Sequence, residues 1–417
     1  MNIDIPYGKE YQNIFFNESY EILKPNEVSM KNEEIIIKNA LEKPINMITF
    51  QEFIENSEKL LIIVNDATRP TPTKKILKFL YPIIIKHDNF KFLVATGVHR
   101  EPTSEEYRFI FGEYYNNFKD KIYAHDARND KNMEYLGKSK NGTEMFINKL
   151  VSEIKNVIVI GSVEPHYFAG YTGGRKSFLP GVASYRTIEM NHKLALNDKA
   201  CSLNLKDNPV NQDMIDAMDV LKNLNVFSIQ TVLTADHNIY AVCAGDLIKS
   251  FDAAIDYANR VFCVPFKKKG NIVISVAPFP MDIDLYQSQK ALDNGKLALE
   301  DGGIIIIVSK CRDGVGEKQF LDLLSRAKTP KEVFELLNTE YKLGYHKAAK
   351  MAQVGLRAEM WMVSDLEDKI IKDAKLKPYK SVQNALNDAI DLVKSKDEKP
   401  HIIIMPSGSL TIPKIIN

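Results

Sequence analysis

Three histidines in the first half of the chain stand in settings that suit proton transfer or metal binding. His99 and His166 each lie in a loop shortly after an apolar run, and His192 follows an asparagine further along. An imidazole titrates near neutral pH, so it can serve as a general acid or base, and its neutral form is a common metal ligand. A single loop histidine is more often structural, and no H-E-x-x-H spacing supports zinc, so both interpretations stay open on these residues alone.

A carboxylate and a guanidinium lie three residues apart directly after another apolar run. Asp66 and Arg69 stand in a segment that also contains two prolines. Such a pair could bind a ribose hydroxyl and a phosphate or carboxylate, because arginine recognises anions through two parallel hydrogen bonds. The alternative is an internal ion pair that holds a turn.

The glycine-rich segment 170–181 carries the densest set of candidate residues. Gly173 and Gly174 would let a ligand approach the backbone closely, and they precede Arg175 and Lys176. The segment invites comparison with the phosphate-binding loop G-x-x-x-x-G-K-[ST], but Arg175 stands where the second glycine is required. The Leu-Pro-Gly sequence at 179–181 would also cut short the helix that such a loop opens. The sequence therefore disfavours a nucleoside triphosphatase, and a glycine-rich turn with solvated cations is the structural alternative.

A polar group in the second half lies at the start of a predicted helix. Tyr286, Gln287 and Lys290 belong to this group, and the last two are spaced so that they share one helix face. The positive end of the helix dipole would help Lys290 hold a carboxylate. The alternative is an ordinary helix start with solvated polar residues.

The elements that must position these residues are short runs of Val, Ile and Leu, bounded by Gly and Pro. Such runs are typical of strands buried on both faces of a parallel sheet, and the helical spacing within Lys74–Lys86 indicates an α/β class. A charged break at Phe266–Asn271 predicts two α/β domains, residues 1–266 and 271–417, with mainly parallel sheets and an active-site cleft between them. Ligands of open α/β sheets bind beyond the carboxyl ends of the strands, where the candidate loops lie. The predicted strands are 60–65, 90–95, 157–161, 271–276, 304–309, 360–364 and 401–405.

The composition argues against several classes of protein. The 417 residues include 55 Lys+Arg and 54 Asp+Glu, a formal net charge of +1, whereas a nucleic-acid surface needs a clustered basic excess. The four cysteines form no C-x-x-C pair, so a disulfide framework or thiolate zinc site is not expected. No apolar run reaches the roughly 18 residues of a membrane span, and the N-terminus lacks signal-peptide features. We therefore expect a soluble cytoplasmic protein that acts on small molecules.

Taken in order, these motifs resemble those of the nickel-dependent lactate racemase family. The resemblance rests on Asp66-Ala-Thr-Arg-Pro, Gly97-Val-His-Arg, Glu164-Pro-His, Gly173-Gly-Arg-Lys-Ser, Asn191-His and Tyr286-Gln-x-x-Lys. It covers residues 66 to 290 by motif, and the layout of strands and breaks extends it over nearly the whole chain.

The resemblance implies a tethered nickel-pincer nucleotide, a pyridinium mononucleotide whose thiocarboxyl sulfurs and ring carbon bind nickel. Lys176 resembles the lysine that is joined covalently to this cofactor, and His192 resembles the histidine that completes the nickel coordination. Asp66 and Arg69 resemble the pair that contacts cofactor and substrate. The resemblance also implies that cofactor-maturation enzymes act on the chain.

The implied reaction is the racemisation of lactate or a related 2-hydroxy acid by hydride transfer. His99 and His166 resemble the two catalytic histidines, one for each enantiomer, and removal and return of hydrogen take place at the same carbon. The implied substrate-binding residues are Arg69, Tyr286, Gln287 and Lys290. An aromatic residue deeper in the second domain is also implied, and Trp361 is the candidate.

Three other functions stay open at the level of sequence. The same scaffold could epimerise a larger hydroxy acid such as malate or a sugar acid. His99, His166 and His192 could instead form the zinc site of a hydrolase. A non-catalytic module that binds a nucleotide is the third alternative.

Overall fold

The computed structural model describes residues 1–416, which form two compact units. The first, which we call the central unit, consists of Glu27–Val261. The second, the composite unit, combines Met1–Asn26 with the chain from Phe262 onward. This division differs from a first domain of residues 1–266. The reason is that Ser19–Ile22 forms a strand alongside His401–Met405, so the start of the chain packs with its end.

Strands and helices alternate along most of the described chain. The strands are β1 (Asn2–Tyr7), β2 (Glu10–Phe15), β3 (Ser19–Ile22), β4 (Leu60–Asn65), β5 (Phe90–Ala95), β6 (Ile122–Ala124), β7 (Met133–Lys138), β8 (Glu144–Asn148), β9 (Asn156–Ser162), β10 (Pro165–His166), β11 (Gly170–Tyr171), β12 (Asn225–Leu233), β13 (Ile239–Gly245), β14 (Cys263–Phe266), β15 (Gly270–Val276), β16 (Leu299–Val308), β17 (Glu359–Val363), β18 (Lys377–Tyr379), β19 (His401–Met405) and β20 (Ile412–Ile415). The α-helices are α1 (Glu33–Glu42), α2 (Phe50–Glu55), α3 (Thr73–Ile84), α4 (Ser104–Phe111), α5 (Tyr115–Phe118), α6 (Lys149–Glu153), α7 (Tyr185–Lys193), α8 (Pro209–Val220), α9 (Leu247–Phe262), α10 (Leu285–Gly295), α11 (Lys318–Arg326), α12 (Pro330–Leu337), α13 (Tyr345–Gly355), α14 (Asp368–Asp373) and α15 (Val382–Lys394).

The central unit is organised around a sheet of six strands in the order β13-β12-β9-β4-β5-β6. All neighbouring pairs are parallel except β12 with β13. The chain runs outward from β4 through β5 to β6 and then returns to the other side of β4 as β9. The connections after β4 and β9 therefore lead away from each other, which creates a topological switch point at the carboxyl ends of these two strands.

One face of this sheet is covered by α1, α2, α3 and α4. Alternate strand residues such as Ile62, Phe92 and Ile158 point to this face and are fully buried with helix residues such as Leu77. The period-2 alternation of a strand sends the intervening residues to the other face. The predicted continuous apolar runs are thus explained by burial on both faces.

The composite unit contains a second sheet of six strands in the order β18-β17-β16-β15-β19-β3, and all its pairs are parallel. From β15 the chain moves through β16 and β17 to β18 and later places β19 on the opposite side of β15. A second topological switch point therefore lies at the carboxyl ends of β15 and β19. The prediction of an α/β fold with mainly parallel sheets is confirmed.

The two faces of the second sheet carry different helices. Val273, Ile305 and Met362 pack with α10 to α14, and Tyr286 lies against that cluster. Trp361 points to the opposite face, where it packs with α15 and lies 5.2 Å from the ring of Tyr379 between centroids. The structure therefore places Trp361 in the core beside α15 and does not bring it together with Tyr286.

The charged break at residues 266–271 does not separate the two units. It is the connection between β14 and β15, and both strands belong to the composite unit. Lys267 and Lys268 are exposed at this turn, which accounts for the local run of charge without a linker. Within residues 1–416, none of the helices is long and apolar enough to cross a membrane.

Candidate active site

The switch point of the central unit brings several of the candidate loops together. The loop after β4 begins with Asp66, and the loop after β9 leads to His166. Hydrogen bonds join these loops, because Thr71 Oγ1 lies 2.7 Å from Asn65 Oδ1 and 3.0 Å from Ser162 Oγ. The sheet therefore places the loops that carry Asp66 and His166 at the edge where α/β proteins bind ligands.

Asp66 and His99 form a hydrogen-bonded pair across the ends of β4 and β5. His99 Nδ1 donates to Asp66 Oδ2 at 2.7 Å, and Thr68 Oγ1 donates to Asp66 Oδ1 at 2.7 Å. Asp66 is buried whereas the His99 side chain is 45% exposed. A carboxylate can only accept, so it fixes the proton of a neutral His99 on Nδ1 and leaves Nε2 as the basic nitrogen.

The electrostatics of this pair keep Asp66 ionised. Burial alone would raise its pKa, but the hydrogen bond and charge of His99, the Thr68 hydroxyl and the nearby charge of Arg69 together lower the pKa below 3.8. The backbone N–H of Arg69 also donates to the Asp66 carbonyl at 3.2 Å, which closes the turn. Asp66 and Arg69, the predicted pair, therefore lie in a tight turn. The Asp66 carboxylate accepts hydrogen bonds from His99 and Thr68.

Replacing Asp66 by asparagine should make the stability of the protein less dependent on acid pH. A carboxylate whose pKa is lower in the folded state stabilises that state above its unfolded pKa, near 3.8, and loses this effect as pH falls through the folded pKa. We expect Asp66→Asn to lower the free energy of unfolding at pH 6, with a difference from wild type that shrinks below pH 4. Urea unfolding over a pH series measures this difference, and a constant gap from pH 6 to pH 2.5 would contradict it.

His166 lies on a short hairpin formed by β10 and β11. The backbone N–H of Ala169 donates to His166 Nδ1 at 3.3 Å, so a neutral ring carries its proton on Nε2. Thr172 Oγ1 donates to the Ser162 carbonyl at 2.8 Å and thereby ties the hairpin to the end of β9. A neutral His166 therefore presents an N–H at Nε2, on a buried and braced side chain.

Lys176 and His192 converge with His166 around the ring of Phe168. Lys176 Nζ lies 3.3 Å from His166 Nε2 and 5.4 Å from the centroid of the Phe168 ring. The rings of His166 and His192 lie 4.6 Å and 5.0 Å from that ring, again between centroids. Burial, together with the charge of Lys176, lowers the pKa of His192 to about 3, so its imidazole is neutral at pH 7. The structure therefore brings three predicted residues into one cluster.

Lys176 lies within a 3-10 helix, Gly174–Ser177, in place of the long helix of a phosphate-binding loop. Gly173 has a φ of +80°, and the backbone N–H of Gly174 donates to the fully buried side chain of Gln230 at 2.9 Å. The Gly97 N–H donates to the carbonyl of Gly181 at 3.0 Å, which joins this segment to the loop that carries His99. The absence of a P-loop, predicted from Arg175, agrees with this geometry.

Gly173→Ala should strongly destabilise the central unit. A Cβ at this position would lie 2.6 Å from Gln230 Oε1 and 2.6 Å from Val163 Cγ2, and the positive φ adds strain. We expect the free energy of unfolding to fall by about 3 kcal/mol or more. Gly142→Ala is the matched control, because Gly142 has a φ of +84° with nothing within 4 Å of a Cβ, so only about 1 kcal/mol should be lost. Equal losses in urea unfolding would contradict the steric argument.

Arg175 is a buried guanidinium that the sequence did not single out as a ligand. It is 3% exposed, and its plane packs on Phe251 with 4.5 Å between Cζ and the ring centroid. Burial lowers its pKa to about 10, which leaves it protonated at neutral pH. Among the described residues, its Nε and Nη2 have no hydrogen-bond partner. A buried cation with unused donors is suited to an anionic ligand.

The predicted substrate residues of the composite unit lie on the first turns of α10, which follows β15 at the second switch point. Asp284 caps this helix by accepting from the Gln287 N–H at 2.6 Å. Lys347 Nζ donates to the Tyr286 carbonyl and lies 3.6 Å from the centre of the Tyr286 ring. Burial raises the pKa of Asp284, and the charges of Lys347 and Lys290 oppose that rise. Tyr286, Gln287 and Lys290 thus lie in the first turns of a capped helix, and the prediction that they stand at a helix start is confirmed.

Comparison with known proteins identifies the family. Residues 7–203 match the lactate racemase N-terminal domain, and residues 266–412 match the lactate racemase C-terminal domain. The chain is 34% identical over 425 residues to the lactate racemase of Thermoanaerobacterium thermosaccharolyticum, with 98% of each protein covered. The chain belongs to the lactate racemase family. Racemases are isomerases, so this membership places the chain among enzymes of that class.

Further relatives agree with this membership. A lactate racemase from Lactiplantibacillus plantarum is 29% identical over 397 residues, with 92% of this chain and 91% of the relative covered. The lactate racemase apoprotein structure from T. thermosaccharolyticum superposes with a TM-score of 0.91 at 33% identity over 99% of this chain and 100% of that one. A Thermotoga maritima protein has the same fold, with a TM-score of 0.69 at 14% identity over 92% and 98% of the two chains.

Some residues of this lactate racemase family member were missed by sequence reasoning. Thr68 braces Asp66, and Phe168 lies at the centre of the histidine and lysine cluster. Lys347 supports the first turn of α10, although it lies far along the chain from Tyr286. Thr68 and Phe168 stand next to predicted motifs, which is a usable signal, whereas nothing in the sequence near Lys347 indicates its partner.

The zinc alternative requires a group of protein ligands. In residues 1–416 no three His, Cys, Asp or Glu side chains are grouped as a metal site requires. His166 and His192 each contact the Phe168 ring in a T-shaped arrangement, and His99 is bonded to Asp66. The three-histidine site therefore has no counterpart among the described residues.

Proposed function

We propose that this enzyme interconverts D- and L-lactate with the help of a nickel-pincer nucleotide tethered to Lys176. The observation that carries the proposal is the convergence of three side chains around Phe168. The attachment candidate Lys176 lies 3.3 Å from Nε2 of His166, and His192 contacts the same aromatic ring. A tethering residue, a metal ligand and a proton-transfer group would thus be adjacent.

The chemistry of these residues fits the proposed cofactor. A pincer that brings its own sulfur and carbon donors needs one further ligand from the protein, and His192 would supply it. Lys176 would hold the cofactor through an amide-type bond, and Asp66 and Arg69 would contact it. The partnerless nitrogens of Arg175 would be satisfied by an anionic group such as the phosphate of a mononucleotide. When bound, the cofactor supplies a reversible hydride acceptor, which a poorly acidic C–H bond calls for.

Proton transfer is assigned to the two histidines of the central unit. His99 has Nε2 available as a base because Asp66 accepts from Nδ1, and Asp66 stabilises the imidazolium after the hydroxyl proton is taken. His166 Nε2 would return a proton to the hydroxyl oxygen of the opposite enantiomer. The two histidines let each hand of the substrate meet its own proton-transfer group, while the hydroxy acid is oxidised to a 2-keto acid that presents its other face before it is reduced again.

Carboxylate binding is assigned to Gln287 and Lys290 of the composite unit, with Tyr286 and Arg69 as further substrate contacts. The capped start of α10 adds its dipole to the charge of Lys290. Holding the carboxylate while the central carbon turns keeps the keto acid bound between the two transfers. Lactate, a monocarboxylate, requires no further charged contact.

The test is to mature the protein with the enzymes that make the cofactor and then to measure three properties. We expect an intact mass that exceeds the sequence mass by the cofactor, nickel in equal stoichiometry, and interconversion of lactate enantiomers by chiral chromatography. Unmatured protein is the control and should lack all three. Fully matured protein with neither adduct nor nickel would overturn the cofactor assignment.

A substrate panel separates lactate from larger hydroxy acids. Both enantiomers of lactate, malate and a sugar acid are incubated with the matured protein under the same conditions. We expect lactate to be racemised with the highest kcat/KM. Turnover of malate or the sugar acid with lactate inert would replace the substrate assignment while the cofactor assignment stands.

A further inference from the structure

Asp213 is a fully buried carboxylate on α8 that the proposed chemistry does not use. Its Oδ1 accepts from Ser139 Oγ at 2.6 Å and from Asn141 Nδ2 at 3.1 Å. Its Oδ2 accepts from Thr143 Oγ1 and, at 3.4 Å, from Asn191 Nδ2. A buried carboxylate is tolerated when donors surround it in this way. Asp213 thus joins α8 both to the turn between β7 and β8 and to α7.

The contact with α7 is made by the residue that directly precedes His192. Asn191 is fully buried, and its Nδ2 also donates to the Val210 carbonyl of α8 at 3.2 Å. Both acceptors belong to α8, so the amide nitrogen is held towards that helix. Successive residues of an α-helix are about 100° apart around its axis, so anchoring Asn191 to α8 sets the direction of the next side chain.

The two ends of α7 are held by different groups. At the first turn, Ser184 caps the helix and Thr187 Oγ1 donates to the carbonyl of Glu144 at 2.6 Å. At the last turn, Asn191 provides a buried side-chain anchor to α8, and terminal turns open more readily than helix interiors. Asn191, and through it Asp213, therefore helps to hold the turn that carries His192, beside the hydrogen bond that the His192 ring makes with the backbone of Ile188.

We infer that Asp213 is a positioning residue that holds the last turn of α7 so that His192 presents its ring to the nickel of the bound cofactor. This inference rests on the proposed function for the identity of the metal. The anchoring of α7 is independent of it. Some residues hold a metal ligand in place without touching the metal. Their replacement commonly changes the affinity for the metal by about 10- to 100-fold.

Asp216 provides a matched control on the same helix. It is also buried, and it accepts from the backbone N–H of Lys140 at 2.7 Å and lies 3.3 Å from Lys140 Nζ. Asp216 therefore anchors the same turn between β7 and β8, but its described partners do not include α7. Comparing Asp213→Asn with Asp216→Asn separates the anchoring of α7 from that of the turn.

The first measurement uses apo-protein and hydrogen exchange. In Asp213→Asn a single amide oxygen replaces the two carboxylate oxygens that accept from four donors, so the bond to Asn191 is weakened. We therefore expect amides 190–194 to exchange about 10-fold faster or more than in wild type. Asp216→Asn should accelerate exchange in the turn at 139–143 and leave amides 190–194 unchanged. Equal exchange of amides 190–194 in both variants would overturn the inference, whether or not the proposed cofactor is correct.

The second measurement uses matured protein and the ratio of nickel to Lys176 adduct after treatment with a chelator. We expect Asp213→Asn to keep the adduct and to lose nickel at least 10-fold faster than wild type, with Asp216→Asn close to wild type. Loss of nickel at the wild-type rate from Asp213→Asn would overturn the inference. A wild type without adduct would refute the proposed function, and the exchange result would still decide the anchoring.

A second variant guards against a failure of Asp213→Asn to fold. Asn191→Leu has a similar shape and removes the bonds of Asn191 to Asp213 and to the Val210 carbonyl, while Asp213 keeps its hydroxyl donors from the turn. We expect the same faster exchange at 190–194 and the same faster loss of nickel. Wild-type behaviour of Asn191→Leu in both measurements would overturn the inference.

Discussion

Lys176→Arg should abolish covalent attachment of the cofactor and reduce racemisation by more than about 10³-fold, because a tether maintains the local concentration of a bound group. Arginine keeps a positive charge near Phe168, over which Lys176 Nζ lies at 5.4 Å. A guanidinium does not form the amide-type bond that a primary amine forms. The measurement combines intact mass after maturation with the rate of lactate racemisation after removal of free cofactor.

Two comparisons make this result specific to the buried amine. Lys222→Arg introduces the same change at an exposed lysine and should retain both the adduct and the activity. Circular dichroism and urea unfolding should show that Lys176→Arg is folded, since the charge is retained. A cofactor-sized mass increase in Lys176→Arg would place the attachment at another residue and would remove Lys176 from the proposed mechanism.

The fold was predictable where strand burial is continuous. The runs at Leu60–Asn65, Phe90–Ala95 and His401–Met405 are strands with the bounds that the apolar pattern predicted, because each is buried on both faces. β3 was not predicted, since Ser19–Ile22 is a short edge strand of mixed polarity with no fully buried residue. Its pairing with β19 spans almost the whole chain, and no local pattern encodes such a partner.

The candidate site shows the same division between local and long-range information. His166 and Lys176 are close in the sequence, and a short hairpin and a 3-10 turn bring them together, so their motifs were visible in one stretch of sequence. The bond between Asp66 and His99 depends on β4 and β5 being neighbours, which parallel order makes predictable in principle. Asp213 could not be found in this way, because its importance lies in its contact with a residue on another helix.

Replacing His99 and replacing His166 should impair opposite half-reactions. Each variant should be slow to oxidise a different enantiomer of the substrate. His99→Ala and His166→Ala should each lower kcat for racemisation by about 10²- to 10⁴-fold, the usual contribution of a general acid or base. Enantiomers have equal free energies, so each variant must lose the same factor of kcat/KM in both directions. Steady-state rates therefore cannot distinguish the two residues, whereas single turnovers can.

A single turnover starts from one enantiomer and ends at the 2-keto acid, so it needs only the base on that side. With matured protein and quenched-flow detection of keto acid, we expect each variant to oxidise one enantiomer at close to the wild-type rate and the other far more slowly. The favoured enantiomer should be opposite in His99→Ala and His166→Ala. Asp66→Asn should reproduce the preference of His99→Ala in weaker form, because Asp66 holds the His99 tautomer through the 2.7 Å bond to Nδ1. The same preference in both histidine variants would show that one residue serves both enantiomers, and the two-base mechanism would then be wrong.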